Sequence, residues 1–234
     1  MPPIVVVWCP DGEGATKILN FCICFNPTIY RRILLMGTGL SKEFFTYNYS
    51  GGLTIQLDKT KKIVDLGCGP NKVPGAVGVD VHKFDDVDVV CDLNKYPWPL
   101  NDNEYDVIWS NQFIEHVTDV KVFLREIHRI GKNGAEVHIT TPHFSSSLSW
   151  GDFTHFRHLG TKWHCNVTKK KTYMFTSMPH FDLIDNRIIF QNPWRLRNML
   201  TRMIIALDGL SDWERRWCFL FRGENLYTTL RIVK

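Results

Sequence analysis

Hydrophobic positions in this chain fall into short, separated runs from residue 62 onward. Lys62-Ile63-Val64-Asp65-Leu66 is a β-rich run, stopped by Gly67-Cys68-Gly69-Pro70. Ala76 to Val79 is a second run, ending at Asp80, and Val87 to Cys91 is a third, ending at Asp92. Tyr105 to Trp109 is a fourth, ending at Ser110, and Ala135 to Thr140 is a fifth, halted at Pro142. Between the last two the period changes. Val120, Phe123, Leu124 and Ile127 fall at i, i+3, i+4 and i+7, which predicts an amphipathic helix over Thr118 to Ile130. Thr118 and Asp119 suit its start, and Gly131 or Gly134 its end. Leu183 to Phe190 and Leu226 to Val233 are late strand candidates. Pro193 to about Leu207 reads as a helix with proline in its first turn. Residues 1–58 are weakly patterned: Gly37-Thr38-Gly39 and Ser50-Gly51-Gly52 read as loops, and no helical face is evident there.

Strands in series, a helix between two of them and ligand-type residues at strand ends predict an α/β domain. Its expected form is a doubly wound, Rossmann-like, mostly parallel sheet over residues 59–234, with residues 1–58 as an extension. After His143, Ser145-Ser146-Ser147 opens a polar and aromatic stretch, so residues 144–180 are expected to form a substrate-facing insertion or cap. Open sheets of this class bind ligands beyond the carboxyl ends of their strands. Here those ends carry Asp65 with the glycines, Asp80, Asp92, Ser110 with Asn111, and Thr141 to His143.

Composition narrows the function classes. The 234 residues are 44% hydrophobic and 22% charged, as a packed globular protein requires. A net charge of +4 is too small to demand a nucleic-acid partner. The seven cysteines are odd in number and irregularly spaced, which argues against a disulfide framework and for a reducing, cytoplasmic setting. No run reaches the ~18 apolar residues of a membrane span. Cys22 and Cys24 lack a second pair at zinc-site spacing, and no metal is expected.

The glycine turn after the first strand lets a ligand approach without a Cβ in the way. Alone it is a weak signal; Asp80 at the end of the next strand, where a carboxylate accepts ribose hydroxyls, strengthens it. Asp65-Leu66-Gly67-Cys68-Gly69 resembles the first motif of the class I S-adenosylmethionine-dependent methyltransferases. Tyr105 to Asn111 with Ile114-Glu115-His116-Val117 resembles their fourth, and Phe123 to Gly134 resembles the helix and turn before their fifth strand. The resemblance spans residues 62–143. It implies S-adenosyl-L-methionine as cofactor, with Asp65, Gly67 and Gly69 around its methionine part and Asp80 on the ribose. Asp92 and Leu93 would flank the adenine, and Asn111 would lie near the methyl group. A turn or helix cap is the alternative role for Asp92. The chain departs from the common pattern in having only ten residues between Gly69 and Asp80, Pro70, Pro74 and Gly75 among them, so a full helix there must give way to loop. A bacterial-type subset with a Gly-Cys-Gly-Pro loop looks similar. A nicotinamide enzyme fits less well, because Lys72 stands where a third glycine would.

Methyl transfer to oxygen often needs a base near neutral pKa. His116, His143 and His155 are the catalytic candidates, with Asp152 beside them. Asp152-Phe153-Thr154-His155 resembles a segment of the same subset. Asp152, His155 and His158 have metal-compatible spacing but no evident further ligand. The expected acceptor is a small molecule, a sugar or a lipid-linked metabolite, as the family resemblance implies. The alternatives are an RNA methyltransferase served by Lys169 to Lys171, and a binding protein without turnover. In the Pro193 helix, Leu196, Met199, Leu200, Met203, Ile204 and Leu207 share one face flanked by Arg195, Arg197 and Arg202. That face is expected to pack on the sheet or cap the site; peripheral membrane contact is the alternative.

Overall fold

The computed structural model describes residues 60–168 and 178–234, together with the strands β1 (Phe44–Tyr49) and β2 (Leu53–Asp58). All of these lie in one compact unit, Ser41–Lys234. The sequence readings at Cys22, Cys24, Gly37 to Gly39, Ser50 to Gly52 and Lys169 to Lys171 fall outside the described residues. β1 and β2 pair antiparallel, so part of the weakly patterned extension forms paired strands.

Seven further strands form one sheet: β3 (Ile63–Leu66), β4 (Val77–Asp80), β5 (Val89–Val90), β6 (Tyr105–Asn111), β7 (Gly131–Pro142), β8 (His180–Ile189) and β9 (Asn225–Val233). Their spatial order is β5-β4-β3-β6-β7-β9-β8. The first five run parallel, and β9 lies antiparallel between β7 and β8. The chain steps outward from β3 to β5, then returns to lay β6 on the other side of β3. That reversal makes a topological switch point where β3 and β6 end, the place where open α/β sheets bind ligands.

Alternation along the strands divides the core in two. Val64, Leu66 and Ile108 face the larger cluster, while Ile63, Val107 and Trp109 face a smaller one. Helix α1 (Val120–Ile130) covers the first face with Phe123, Leu124, Ile127 and Ile130, all buried. Each such side chain contributes about 1.5–3 kcal/mol by leaving water. Asp119 caps the helix, its carboxylate accepting from the N–H groups of Lys121 and Val122, and Gly131 ends it. The links β3–β4 and β4–β5 carry no helix; Val73 and Ala76 of the first are buried instead.

The C-terminal helix differs from expectation in two ways. After the short helices α2 (Ser147–Gly151) and α3 (Cys165–Thr168), α4 spans Leu196–Asp208, and Pro193 stands ahead of it rather than in its first turn. Asn192 takes up that stretch: its side chain accepts from Trp194 N–H and its carbonyl from Arg195 N–H. The apolar face does not pack on the sheet. Leu196 is 73% and Leu207 77% exposed, with Met199 and Met203 about half exposed, while the buried residues of the helix are Asn198 and Thr201. A shorter helix, α5 (Leu210–Arg216), follows. Among the described residues no helix is long and apolar enough to cross a membrane.

Candidate functional site

The loop after β3 is built on two left-handed glycines, Gly67 at φ +72° and Gly69 at φ +56°. A Cβ on Gly67 would stand 2.4 Å from the Phe113 ring, whereas one on Gly69 would meet nothing within 4 Å. The loop is held from the neighbouring strand. Gly67 and Cys68 N–H both donate to the Val79 carbonyl, and Gly69 N–H donates to Asp80 Oδ2 at 2.9 Å. Asp80 Oδ1 accepts from His82 N–H. A carboxylate has about four acceptor positions, so Asp80 keeps capacity for a ligand's hydroxyls.

Asp65 lies beneath the loop. Its Oδ2 accepts from Val73 N–H at 2.8 Å and its Oδ1 has no partner. Burial, reinforced by Asp80, pushes this carboxyl up to about 7. A cationic group arriving above it would favour the ionised form, so this floor fits the ammonium and sulfonium of S-adenosylmethionine.

The other residues implied for the cofactor are less simply placed. Asp92 Oδ1 accepts from Asn94 N–H, the turn role given as its alternative, and Oδ2 pairs with Lys95. The Leu93 side chain is in the main core and its carbonyl accepts from the Trp98 indole. Asn111 ends β6 and its Oδ1 accepts from the Thr140 hydroxyl of β7. Gln112 follows at φ +50°, an uncommon conformation for a side-chain-bearing residue, held by its N–H to the Thr140 carbonyl and its amide to Asn225. Nothing in the sequence marks Gln112 for that conformation.

Next comes a single 3-10 turn, Ile114–His116, that begins against Gly67 through Phe113. It meets the segment after β7. Glu115 carbonyl accepts from Phe156 and Arg157 N–H, stitching residues 155–157 to the sheet edge. His116 Nδ1 lies 3.2 Å from the Thr154 carbonyl and 3.0 Å from its hydroxyl. His155 Nδ1 lies 3.0 Å from the Ser149 carbonyl in α2 (Ser147–Gly151). The two imidazoles meet edge to face at 4.7 Å. Glu115 is 1% exposed and neither carboxylate oxygen makes a well-formed hydrogen bond. Burial pushes it up to about 7, against weaker opposing effects of its own N–H and the Thr141 hydroxyl; burial also lowers His116.

Two of the three predicted histidines therefore come together, His116 and His155. His143 does not join them. It is fully buried, with Nδ1 on the Ser145 hydroxyl and Nε2 on Glu214, which also accepts from Thr161. Both ring nitrogens are committed to holding the segment after β7 against α5. His158 is likewise apart, stacked on Trp150 with its Nδ1 on Ser149. Glu115 is the residue that sequence reasoning passed over. Its one signal was an acidic side chain between Ile114 and Val117, both fully buried.

Residues 74–139 match the family model described as a methyltransferase domain. Solved structures similar to the chain include an S-adenosylmethionine-dependent methyltransferase from Mesorhizobium loti, at 17% identity and TM-score 0.45 over 73% of this chain and 90% of that one. Another is a methyltransferase of the same description from Archaeoglobus fulgidus, at 17% identity and TM-score 0.45 over 73% and 86%. A third is the 1,6-didemethyltoxoflavin-N1-methyltransferase of Burkholderia thailandensis, at 11% identity and TM-score 0.47 over 74% and 72%. The match to the methyltransferase-domain model lies across β4 to β7, with the glycine loop immediately before it.

Proposed function

We propose that this enzyme methylates a small-molecule, sugar or lipid-linked acceptor in a cleft between the glycine loop and the Glu115-His116-His155 cluster. The observation that carries the reading is the adjacency of the two at the switch point, where Phe113 lies on Gly67 and opens the turn bearing Glu115 and His116. S-adenosylmethionine, when bound, supplies a methyl group on a positively charged sulfur. Asp65 holds negative charge under the methionine part, and Gly67 and Gly69 keep the approach open. Asp80 accepts the ribose hydroxyls. Asp92 and the backbone of Leu93 lie at the adenine end, and Asn111, oriented by Thr140, lines the path of the methyl group. Residues 144–160 cover the acceptor and exclude water, which contributes to rate through positioning.

Calorimetric titration with S-adenosylmethionine tests the cofactor half. Saturable binding is expected, weakened by Asp80→Ala and largely kept by Asp80→Asn, which still accepts from Gly69. No binding by folded protein, or binding indifferent to Asp80→Ala, would sink the assignment.

The exposed α4 face favours the lipid-linked acceptor among the three classes. Trp194, Leu196, Met199, Met203 and Leu207 are exposed there, and Phe219 and Leu220 are exposed after α5. Residues 194–222 carry six arginines against three acidic side chains. An apolar face rimmed by arginine suits the interface of an anionic bilayer. Co-sedimentation with phosphatidylglycerol-rich vesicles, but not with neutral ones, is expected, with loss in Met203→Ser/Leu207→Ser. Equal recovery with and without vesicles would leave the soluble acceptors.

A further inference from the structure

The cluster behind Phe113 has a donor set that proton chemistry alone does not explain. One ligand-type atom from each of Glu115, His116 and His155 lies within 4.8 Å of the others. Glu115 is almost wholly buried and neither oxygen makes a well-formed hydrogen bond, with only its own N–H and the Thr141 hydroxyl acting weakly on it, a costly arrangement for a carboxylate unless something positive completes it.

The hydrogen bonds around the two imidazoles fix their tautomers. A carbonyl can only accept, so His155 Nδ1 must donate to Ser149 and His116 Nδ1 to Thr154. The Thr154 hydroxyl agrees, because it already donates to Asp152 Oδ1 and so accepts from His116. Both rings therefore carry their hydrogen on Nδ1 and keep a lone pair on Nε2. Donating one ring N–H to a carbonyl while the other nitrogen offers its lone pair to the ion is how proteins orient metal-bound histidine. Asp152 Oδ2 lies 3.8 Å from His155 Nε2 at the exposed rim.

We infer that Glu115, His116 and His155 form a site for a divalent transition-metal ion, with Asp152 as a fourth ligand at its rim. Two imidazoles with carboxylates suit zinc and its first-row neighbours better than magnesium, which prefers oxygen donors. Zinc binds such donors at ~2.0–2.2 Å, and small side-chain rotations would bring this set to that range. The ion would tie the segment after β7 to the β6 end, two pieces that the Glu115 carbonyl already joins. The metal site stands on these contacts alone. Its place beside the acceptor, where an open position would take an acceptor oxygen, rests on the function proposed above.

The test uses untagged full-length protein stripped by a chelator and titrated with Zn²⁺ and, separately, Mg²⁺. One Zn²⁺ per chain is expected by calorimetry and by metal analysis, with no saturation by Mg²⁺ in the same range. His155→Ala and Glu115→Gln should each weaken Zn²⁺ by about tenfold or more. Cobalt absorption in the unmodified protein gives a reading that needs no variant: intense visible bands of a four- or five-coordinate ion are expected. Absence of those bands, absence of stoichiometric Zn²⁺, or binding unchanged in both variants would overturn the site. S-adenosylmethionine is titrated into the stripped protein alongside. If the cofactor binds and Zn²⁺ does not, the metal inference alone falls; if Zn²⁺ binds and the cofactor does not, the proposed function falls.

Discussion

Helices α1 and α4 both carry an apolar stripe at helical spacing, yet only α1 buries it. α1 lies across the parallel strands, and Phe123, Leu124, Ile127 and Ile130 enter the main core. α4 follows the Asn192 turn and presents Asn198 and Thr201 inward instead. The Asn198 amide donates to the Asn192 carbonyl and to Glu224, and Thr201 donates back to the Arg197 carbonyl. Periodicity tells which residues share a face; it does not tell which face the chain turns inward. That orientation depends on what the flanking turn can satisfy, because buried polar groups must find partners.

The two helices should therefore respond to substitution in opposite ways. Phe123→Ala in α1 is expected to cost about 3–5 kcal/mol, through lost burial and a cavity against Trp98, as measured by urea unfolding. Asn198→Ala in α4 comes next, at about 1–3 kcal/mol, since Glu224 and the Asn192 carbonyl lose a donor. Asp119→Ala removes the α1 cap and should cost about 1 kcal/mol, with Asp119→Asn nearly silent. Leu207→Ser on the exposed stripe should stay within about 0.5 kcal/mol of the parent. The decisive feature is the inversion in α4, where the polar residue matters more than the leucine. A Leu207→Ser variant as unstable as Phe123→Ala would show the stripe to be covered in solution and break the comparison.

A related contrast separates the two sides of the cleft. The glycine loop and its acidic partners lie within a short stretch, and each is set by a local need: a left-handed turn, a strand end, an acceptor for Gly69 N–H. Their grouping was legible from order and spacing. The other side joins Glu115 and His116 to His155, which lie far apart along the chain and meet only because residues 155–157 return to the β6 end. His143 sits nearer to β7 than His155 does, yet Ser145 and Glu214 draw it inward. Of Asp152, His155 and His158, whose spacing is metal-compatible, His158 lies apart, stacked on Trp150.

The sequence by itself determined the run of parallel strands, the amphipathic α1 with its Asp119 cap, and the glycine loop facing Asp80. Those features depend on side-chain period, propensity and backbone freedom, which act over a few residues. Tertiary structure alone decided that β9 enters between β7 and β8, that α4 turns its polar side inward, and that buried Glu115 meets His116 and His155. Those outcomes depend on which distant groups desolvate and pair with one another, and no local pattern along the chain encodes that pairing.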